Sequence, residues 1–337
     1  MTSRVILTGD IGGTKTLLRL DGLDEAGTLQ TVCQKRYESA LYSRFEEILD
    51  DFLASRRLRV GHACFGVAGA VIDGVSQATN LPWVLDQAVL SRHLQGTEVK
   101  LLNDLEATAL GILHLPDDNF VDLNPASETP VAGHRAVIAA GTGLGEALII
   151  ENGGDRTVVA TEGGHCDFAP STEEEDCLLS WLRRQFPGHV SYERILSGPG
   201  LVNLYHFQLF HSRQTASPRV QAAIAEGADV AAVIGELGVT GDDELCRKSL
   251  QMFCRIYGAE AGNLVLKSLA LGGVYVAGGI APKILPLLRQ GELLAAFIAK
   301  GRFSGLLGKV PVRLVTNTDV VLVGALNWVL ERGLRGQ

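Results

Sequence analysis

At 337 residues the chain has room for about two domains and a sizeable core that needs neither disulfides nor metals. A hydrophobic fraction of 46% excludes a mostly disordered chain, and a net charge of −8 with no Lys/Arg block argues against a nucleic-acid binder. No apolar run reaches the roughly 18 residues of a membrane span, and Asp10 follows the apolar residues 5–7 too closely for a signal-peptide core.

The expectation is therefore a cytoplasmic protein with no membrane or nucleic-acid partner. Its cysteines (Cys33, Cys64, Cys166, Cys177, Cys246 and Cys254) form no C-x-x-C pair and read as reduced, mostly buried thiols. Glycine is the compositional outlier: 39 residues is nearly twice the usual ~7%. The glycines fall in short clusters, which marks tight turns and close backbone approach rather than a linker or a collagen repeat.

Taken in chain order, β-type runs at residues 5–8, 16–20 and 29–37 alternate with Gly turns. Apolar Tyr42, Phe45, Ile48, Leu49, Phe52 and Leu53 then recur at three- and four-residue spacing, with Glu46, Glu47, Asp50 and Asp51 on the other face. That pattern predicts an amphipathic helix. Strands are predicted at 63–67, 70–75 and 99–102, the last leading into an apolar helix at about 105–113, and a loop rich in Pro, Asp and Asn at 116–130 marks a domain boundary.

Beyond it the opening pattern returns. RVILTGDIGGTKTLLRL, from Arg4, and RAVIAAGTGLGEALII, from Arg135, each read as strand, Gly/Thr turn and strand. Two such hairpins facing each other would make a nucleotide cleft. Ser171-Thr-Glu-Glu174 reads as a capping box. A long helix is predicted at about 242–271, a strand at 274–277 running into Gly278-Gly279, and a helix at 319–332 that packs back on the first domain. Residues 215–241 carry few signals.

GDIGGTKT (residues 9–16) lacks the second glycine of a Walker loop, and Leu17, Leu18 and Leu20 continue it as a strand where a Walker loop opens a helix. Gly141-Thr142-Gly143-Leu-Gly145 has the wrong spacing for a dinucleotide fingerprint and also runs into a strand. Both are better read as hairpins whose backbone N–H groups face one anion. Asp10, at the tip of the first strand, then suits a Mg²⁺ ion riding on the phosphates, held through water; an ordinary turn with a self-bonding Asp is the alternative.

Asn103-Asp104 ends a strand and starts a helix, where ligands of open α/β sheets bind. Asp104 can accept a proton from a hydroxyl that Asn103 orients, although locally it reads equally as a helix N-cap. In Glu162-Gly-Gly-His165 two glycines form a turn that brings a carboxylate and an imidazole to one small polar ligand. The spacing of His165, Cys166 and Cys177 is poor for zinc, and the acidic run 173–176 reads as helix-dipole compensation. Glu193, before LSGPG (residues 196–200), reads locally as an ion-pair partner of Arg194 as much as a site residue.

Together these stretches resemble the bacterial glucokinase family of sugar kinases, within the wider actin–hexokinase–heat-shock ATPase group. The matching segments are GDIGGT (9–14), LLND (101–104), AGTGLG (140–145), EGGHCDFAP (162–170), LSGPGLVNLY (196–205) and VAGGIAPK (276–283), in family order across nearly the whole chain. The resemblance implies an α/β, two-domain, actin-like ATPase (ribonuclease H-like) fold with an interdomain cleft. Residues 1–114 plus 319–337 would form the smaller domain and 115–318 the larger, and members are commonly dimers.

It further implies phosphoryl transfer from ATP, with Mg²⁺, to the 6-hydroxyl of glucose, feeding glycolysis. Asp104 would be the general base, and Asn103, Asp104, Glu162, His165 and Glu193 would hold the sugar. Gly9, Asp10, Ile11, Gly12, Gly13 and Thr14 would line one phosphate loop, Gly141, Thr142 and Gly143 the other, and Gly278-Gly279 the adenosine side. Lys15 departs from the Asn usual in this family and resembles the ROK sugar kinases, but the zinc motif of those proteins is absent from CDFAPSTEEEDC (166–177). The competing readings are a kinase for mannose or an amino sugar, a non-catalytic sugar sensor, and an assembly ATPase. The intact Asp104 and both hairpins speak against the sensor, and the polyol-suited residues against the assembly ATPase.

Overall fold

The computed structural model describes residues 4–24, 28–54, 56, 58–78, 81–125 and 132–333. The described chain falls into two compact units, one ending at Asp117 and resuming at Asn317, the other running from Asp118 to Thr316. Residues 1–3, 126–130 and 334–337 of the expected domains and boundary loop lie outside the described residues.

In the first unit, β1 (Arg4–Ile11), β2 (Lys15–Leu23) and β3 (Leu29–Glu38) form an antiparallel meander. α1 (Phe45–Leu53) follows and buries Phe45, Ile48, Leu49 and Phe52, the face its spacing predicts. β4 (Val60–Val67) runs parallel to β1. The strand expected at 70–75 is instead two short ones, β5 (Val71–Ile72) and β6 (Val75–Gln77), because the chain reverses at Asp73-Gly74, both at positive φ. β7 (Val84–Asp86) completes this small sheet. Asp86 caps α2 (Gln87–His93), accepting from the N–H groups of Ala88 and Val89.

β8 (Glu98–Asn103) then gives the main sheet its order β3-β2-β1-β4-β8 and leads into α3 (Asp104–Ile112). The C-terminal helix (Val320–Trp328) packs on α3 within this unit. The approach is close enough that a Cβ at Gly324 would run into the carbonyl of Ala107. The predicted helix to 332 holds its α-form only to Trp328 and finishes in a π-helical turn, Val329–Gly333.

The second unit repeats this layout. The predicted loop contains an edge strand, β9 (Phe120–Asp122), which the sequence reading missed. β10 (Arg135–Ala140), β11 (Leu144–Asn152) and β12 (Asp155–Thr161) form another antiparallel meander. The helical run comprises α4 (Glu173–Gln185), α5 (Gly198–Ser212), α6 (Pro218–Ala225), α7 (Val230–Thr240) and α8 (Glu244–Ser268). β13 (Val274–Ala277) pairs parallel with β10, and after α9 (Leu285–Leu288), α10 (Glu292–Ile298) and α11 (Ser304–Leu307), β14 (Val312–Val315) joins beside it. The order β12-β11-β10-β13-β14-β9 reproduces the first sheet with one strand added, so the repeat seen in two hairpins extends over five strands.

Residues 215–241, which carried few signals, are α6 and α7. Leu237 and Ile234 of α7 are buried in the core around α8, which runs through this unit with Leu250, Phe253, Cys254 and Tyr257 buried. The capping box is shifted by one residue. Thr172 is the N-cap, accepting from the Glu175 N–H, while the Glu175 carboxylate reaches back to the N–H and hydroxyl of Ser171. The acidic run is more than dipole compensation, since Arg255 of α8 donates to both Glu174 (2.9 Å) and Glu175 (2.8 Å). All six cysteines are free thiols, but only Cys64, Cys246 and Cys254 are buried, and Cys166 and Cys177 are exposed. No helix among the described residues is long and apolar enough to cross a membrane.

Candidate functional site

In the first unit the turn Gly12–Thr14 joins β1 to β2 with no helix after it. The Gly12 N–H donates to the Lys15 carbonyl (3.0 Å), and buried Ser39 braces the turn from outside. Its hydroxyl donates to the Gly12 carbonyl (2.9 Å) and its N–H to the Thr14 carbonyl (3.0 Å). Gly9 and Ile11 are buried, and a Cβ on Gly9 would meet the Phe65 and Leu18 side chains at 2.7 and 2.8 Å. Those two residues belong to the packing. Gly12, Gly13, Thr14 and the partly accessible Asp10 are the members of the predicted loop open to a ligand.

Burial, with the Asp319 carboxylate nearby, pushes the Asp10 carboxyl up to about 6 against the opposing pull of Arg36. A divalent cation would relieve that repulsion, so the donors present fit Mg²⁺. No cluster of three metal-ligating side chains occurs among the described residues.

Asn103, rather than Asp104, is the N-cap of α3: its Oδ1 accepts from the N–H groups of Leu105 (2.9 Å) and Glu106 (3.3 Å). Its Nδ2 donates to the Gly69 carbonyl (3.1 Å). The expected division is thus altered, with Asn103 committed to the backbone and Asp104 the first residue of the helix, partly accessible, accepting from the Leu105 N–H (2.9 Å). A carboxylate at this position also profits from the partial positive charge of the helix start.

In the second unit the β10–β11 turn is tightened by the Gly141 N–H donating to the Gly143 carbonyl (2.9 Å). Glu193 does not pair with Arg194, which stacks over Phe186. Its Oε2 instead accepts from the Leu144 N–H (3.0 Å), and a Cβ on Gly143 would touch that oxygen. Glu162 and His165 flank a 3₁₀ turn, Gly163–His165, with Oε2 and Nε2 4.0 Å apart and both side chains largely exposed. His165 and Glu193 line one polar cavity of ≈ 400 Å³ with His189, Ser191 and Arg194, within the size range of small-molecule pockets. Gly278, at φ 86° because a Cβ there would strike the Ala140 backbone, and Gly279 follow β13 exposed at the same strand-end level as the β10 turn, with the Ile280 N–H donating to the Ala140 carbonyl (3.2 Å).

The sequence reading missed two residues. Ser39 carried no signal, being an isolated serine between a strand and a helix. Glu146 did carry one, as a lone carboxylate in the apolar run of β11; it is buried, and its Oε1 has no hydrogen-bond partner among the described residues.

Two glycine hairpins, a carboxylate at a helix start and an imidazole on a polar cavity are features compatible with a sugar kinase. The Glucokinase family model matches residues 7–332. A glucokinase from Nostoc sp. is 40% identical over 95% of this chain and 97% of its own length. The crystal structure of a glucokinase from an Antarctic psychrotroph is similar with a TM-score of 0.79, at 30% identity, covering 96% of this chain and 97% of that one. That of the Balamuthia mandrillaris glucokinase in complex with glucose shares the fold (TM-score 0.81, 24% identity, 96% and 93% covered). The chain belongs to the glucokinase family.

Proposed function

We propose that the chain transfers the γ-phosphoryl group of ATP to the 6-hydroxyl of D-glucose, giving glucose 6-phosphate and ADP, and that its two units are the domains of an actin-like ATPase of ribonuclease H-like type. The observation that carries this reading is the double engagement of Glu193: it lines the same polar cavity as His165 while its carboxylate holds the backbone of the second glycine hairpin. One side chain thereby ties a polyol-suited surface to a phosphate-suited turn.

In this reading Glu162, His165 and Glu193 pair with ring hydroxyls, and Asn103 fixes the start of α3 so that Asp104 meets the 6-hydroxyl. As the hydroxyl oxygen bonds to the γ-phosphorus, its proton passes to the Asp104 carboxylate and the bond to the ADP oxygen breaks, so charge and atoms balance. The N–H groups of the Gly12–Thr14 and Gly141–Gly143 turns meet phosphate oxygens, and Gly278-Gly279 leaves room for the adenosine. A Mg²⁺ ion, held by Asp10 through water, would neutralise phosphate charge. Catalysis here is mostly positioning and charge stabilisation. Family likeness further supports a cytoplasmic homodimer supplying glycolysis.

Asp104→Asn tests the assignment. General-base assistance contributes about 10² to 10⁴ in rate, so glucose-dependent ADP release should fall by that factor while glucose affinity, measured by calorimetry, changes little. Turnover close to that of the wild type would remove Asp104 from the role.

A further inference from the structure

Glu146 is a buried acid for which phosphoryl transfer has no use. It lies on β11 opposite Thr161, whose hydroxyl donates to the Glu146 carbonyl (2.9 Å) and accepts from the Gly163 N–H (3.1 Å). Its side chain runs beneath the 3₁₀ turn between Glu162 and His165. A Cβ on Gly163 would collide with the Glu146 carboxyl, and one on Gly164 with the Leu144 carbonyl. The two glycines are therefore explained by contact: the turn lies directly on β11, and at Gly163 the surface it lies on is a carboxyl group. With Oε1 lacking a hydrogen-bond partner among the described residues and the residue 2% exposed, a charge on that group would be poorly stabilised.

We propose that Glu146 is a positioning residue for sugar recognition: its carboxyl is the seat that sets the Glu162–His165 turn at the height needed to meet the hydroxyls. The proposal rests on the reading of Glu162 and His165 as sugar ligands and adds a residue that touches neither sugar nor nucleotide.

The charges around the seat favour the neutral acid. On α8 it faces Tyr257, Glu260 and Lys267; the Glu260 carboxylate opposes ionisation and Lys267 favours it. Lys267 is already engaged, donating to Glu260 (3.2 Å), which also accepts from Asn263 (2.9 Å). The turn contributes Glu162 and His165, and the flanking strands contribute uncharged Thr161 and Ile138. Burial first, then Glu260, pushes the Glu146 carboxyl up to about 7. Above that pH a buried carboxylate lies under the turn, against Gly163, the residue that follows Glu162. Hydrating it requires the turn to lift. Sugar binding, which needs the turn seated, is then linked to the protonated form.

The experiment is the glucose KM and kcat of the full-length protein from pH 6 to 8.5, for wild type, Glu146→Gln, Gly163→Ala and the double variant Glu146→Ala/Gly163→Ala. Glutamine reproduces the shape of the neutral acid at every pH. The wild-type KM should rise by about 10-fold more than that of Glu146→Gln across the range, the equivalent of one pKa unit of linkage, with kcat moving in parallel in the two proteins. His165 and Glu162 are present in both proteins, so the difference isolates Glu146. Gly163→Ala should raise KM at all pH values, and removing the Glu146 side chain should recover part of the loss, because the added methyl then occupies the vacated seat. Identical KM–pH profiles for wild type and Glu146→Gln, or losses in the double variant that merely add, overturn the proposal. A wild type without glucose-dependent turnover would instead overturn the kinase reading, and the seat's role with it.

Discussion

The two glycine hairpins share a strand–turn–strand design and the same place in their sheets, yet they are braced by different chemistry. The Gly12–Thr14 turn is held by Ser39, a buried neutral hydroxyl from the 3₁₀ turn after β3 that also meets the Thr16 hydroxyl (3.0 Å). The Gly141–Gly143 turn is held by its own backbone, by the Gly198 N–H donating to the Gly141 carbonyl (2.8 Å), and by the carboxylate of Glu193 through Leu144. The first brace faces inward and has one task. The second lines a polar cavity and also holds the hairpin, so in the second unit the Gly141–Gly143 turn and the cavity lining cannot be altered independently.

Breaking the second brace should have the largest effect. Glu193→Ala removes the proposed hydroxyl partner and leaves the Leu144 N–H without its acceptor. Misplaced binding groups cost on the order of 10²-fold in rate, so glucose kcat/KM should fall at least that far. The ATP KM should rise in the same variant, and an unchanged ATP KM would show that the hairpin does not depend on Glu193. Ser39→Ala sharpens the contrast. It leaves the Thr16 hydroxyl and Gly12 carbonyl short of a buried partner at a cost of about 1–3 kcal/mol, visible in urea unfolding. The ATP KM should rise while the glucose KM stays put. The smallest effect belongs to Lys15→Asn on the exposed flank of the first turn. An exposed ionic contact contributes about 0.2–1 kcal/mol, so the ATP KM should rise by at most about fivefold, and the rise should vanish in high salt.

What the sequence revealed follows the range of the interactions involved. Both hairpins, the amphipathic α1, the long α8 and the strand end at Asn103-Asp104 were legible because each is written in neighbouring residues: alternation, three–four spacing, paired glycines. The four-residue β14 is too short for any period to show, and β9 was hidden in a Pro- and Asp-rich stretch, taking its strand form from pairing with β14 almost two hundred residues away. In α6 and α7 the many Ala and Gly residues blur the apolar stripe. Choosing between Asn103 and Asp104 as the cap depends on which side chain turns back on the helix, a rotamer choice that composition does not carry. The hold of Glu193 on Leu144 spans 49 positions and the seat of Glu146 beneath Gly163 needs a folded turn to exist. Candidate site residues could thus be named from motif order, whereas the connections among them became visible only with the fold.

The most direct test of the central claim is ADP release from Mg-ATP in a coupled assay with glucose, mannose, fructose, galactose and N-acetylglucosamine in turn. The account predicts strong stimulation by glucose and little by the others, since a polar site left with unpaired groups rejects a mismatched hydroxyl pattern. Stimulation by a different sugar would keep the mechanism and contradict the substrate. No stimulation by any of the five would contradict the assignment as a hexose kinase using ATP.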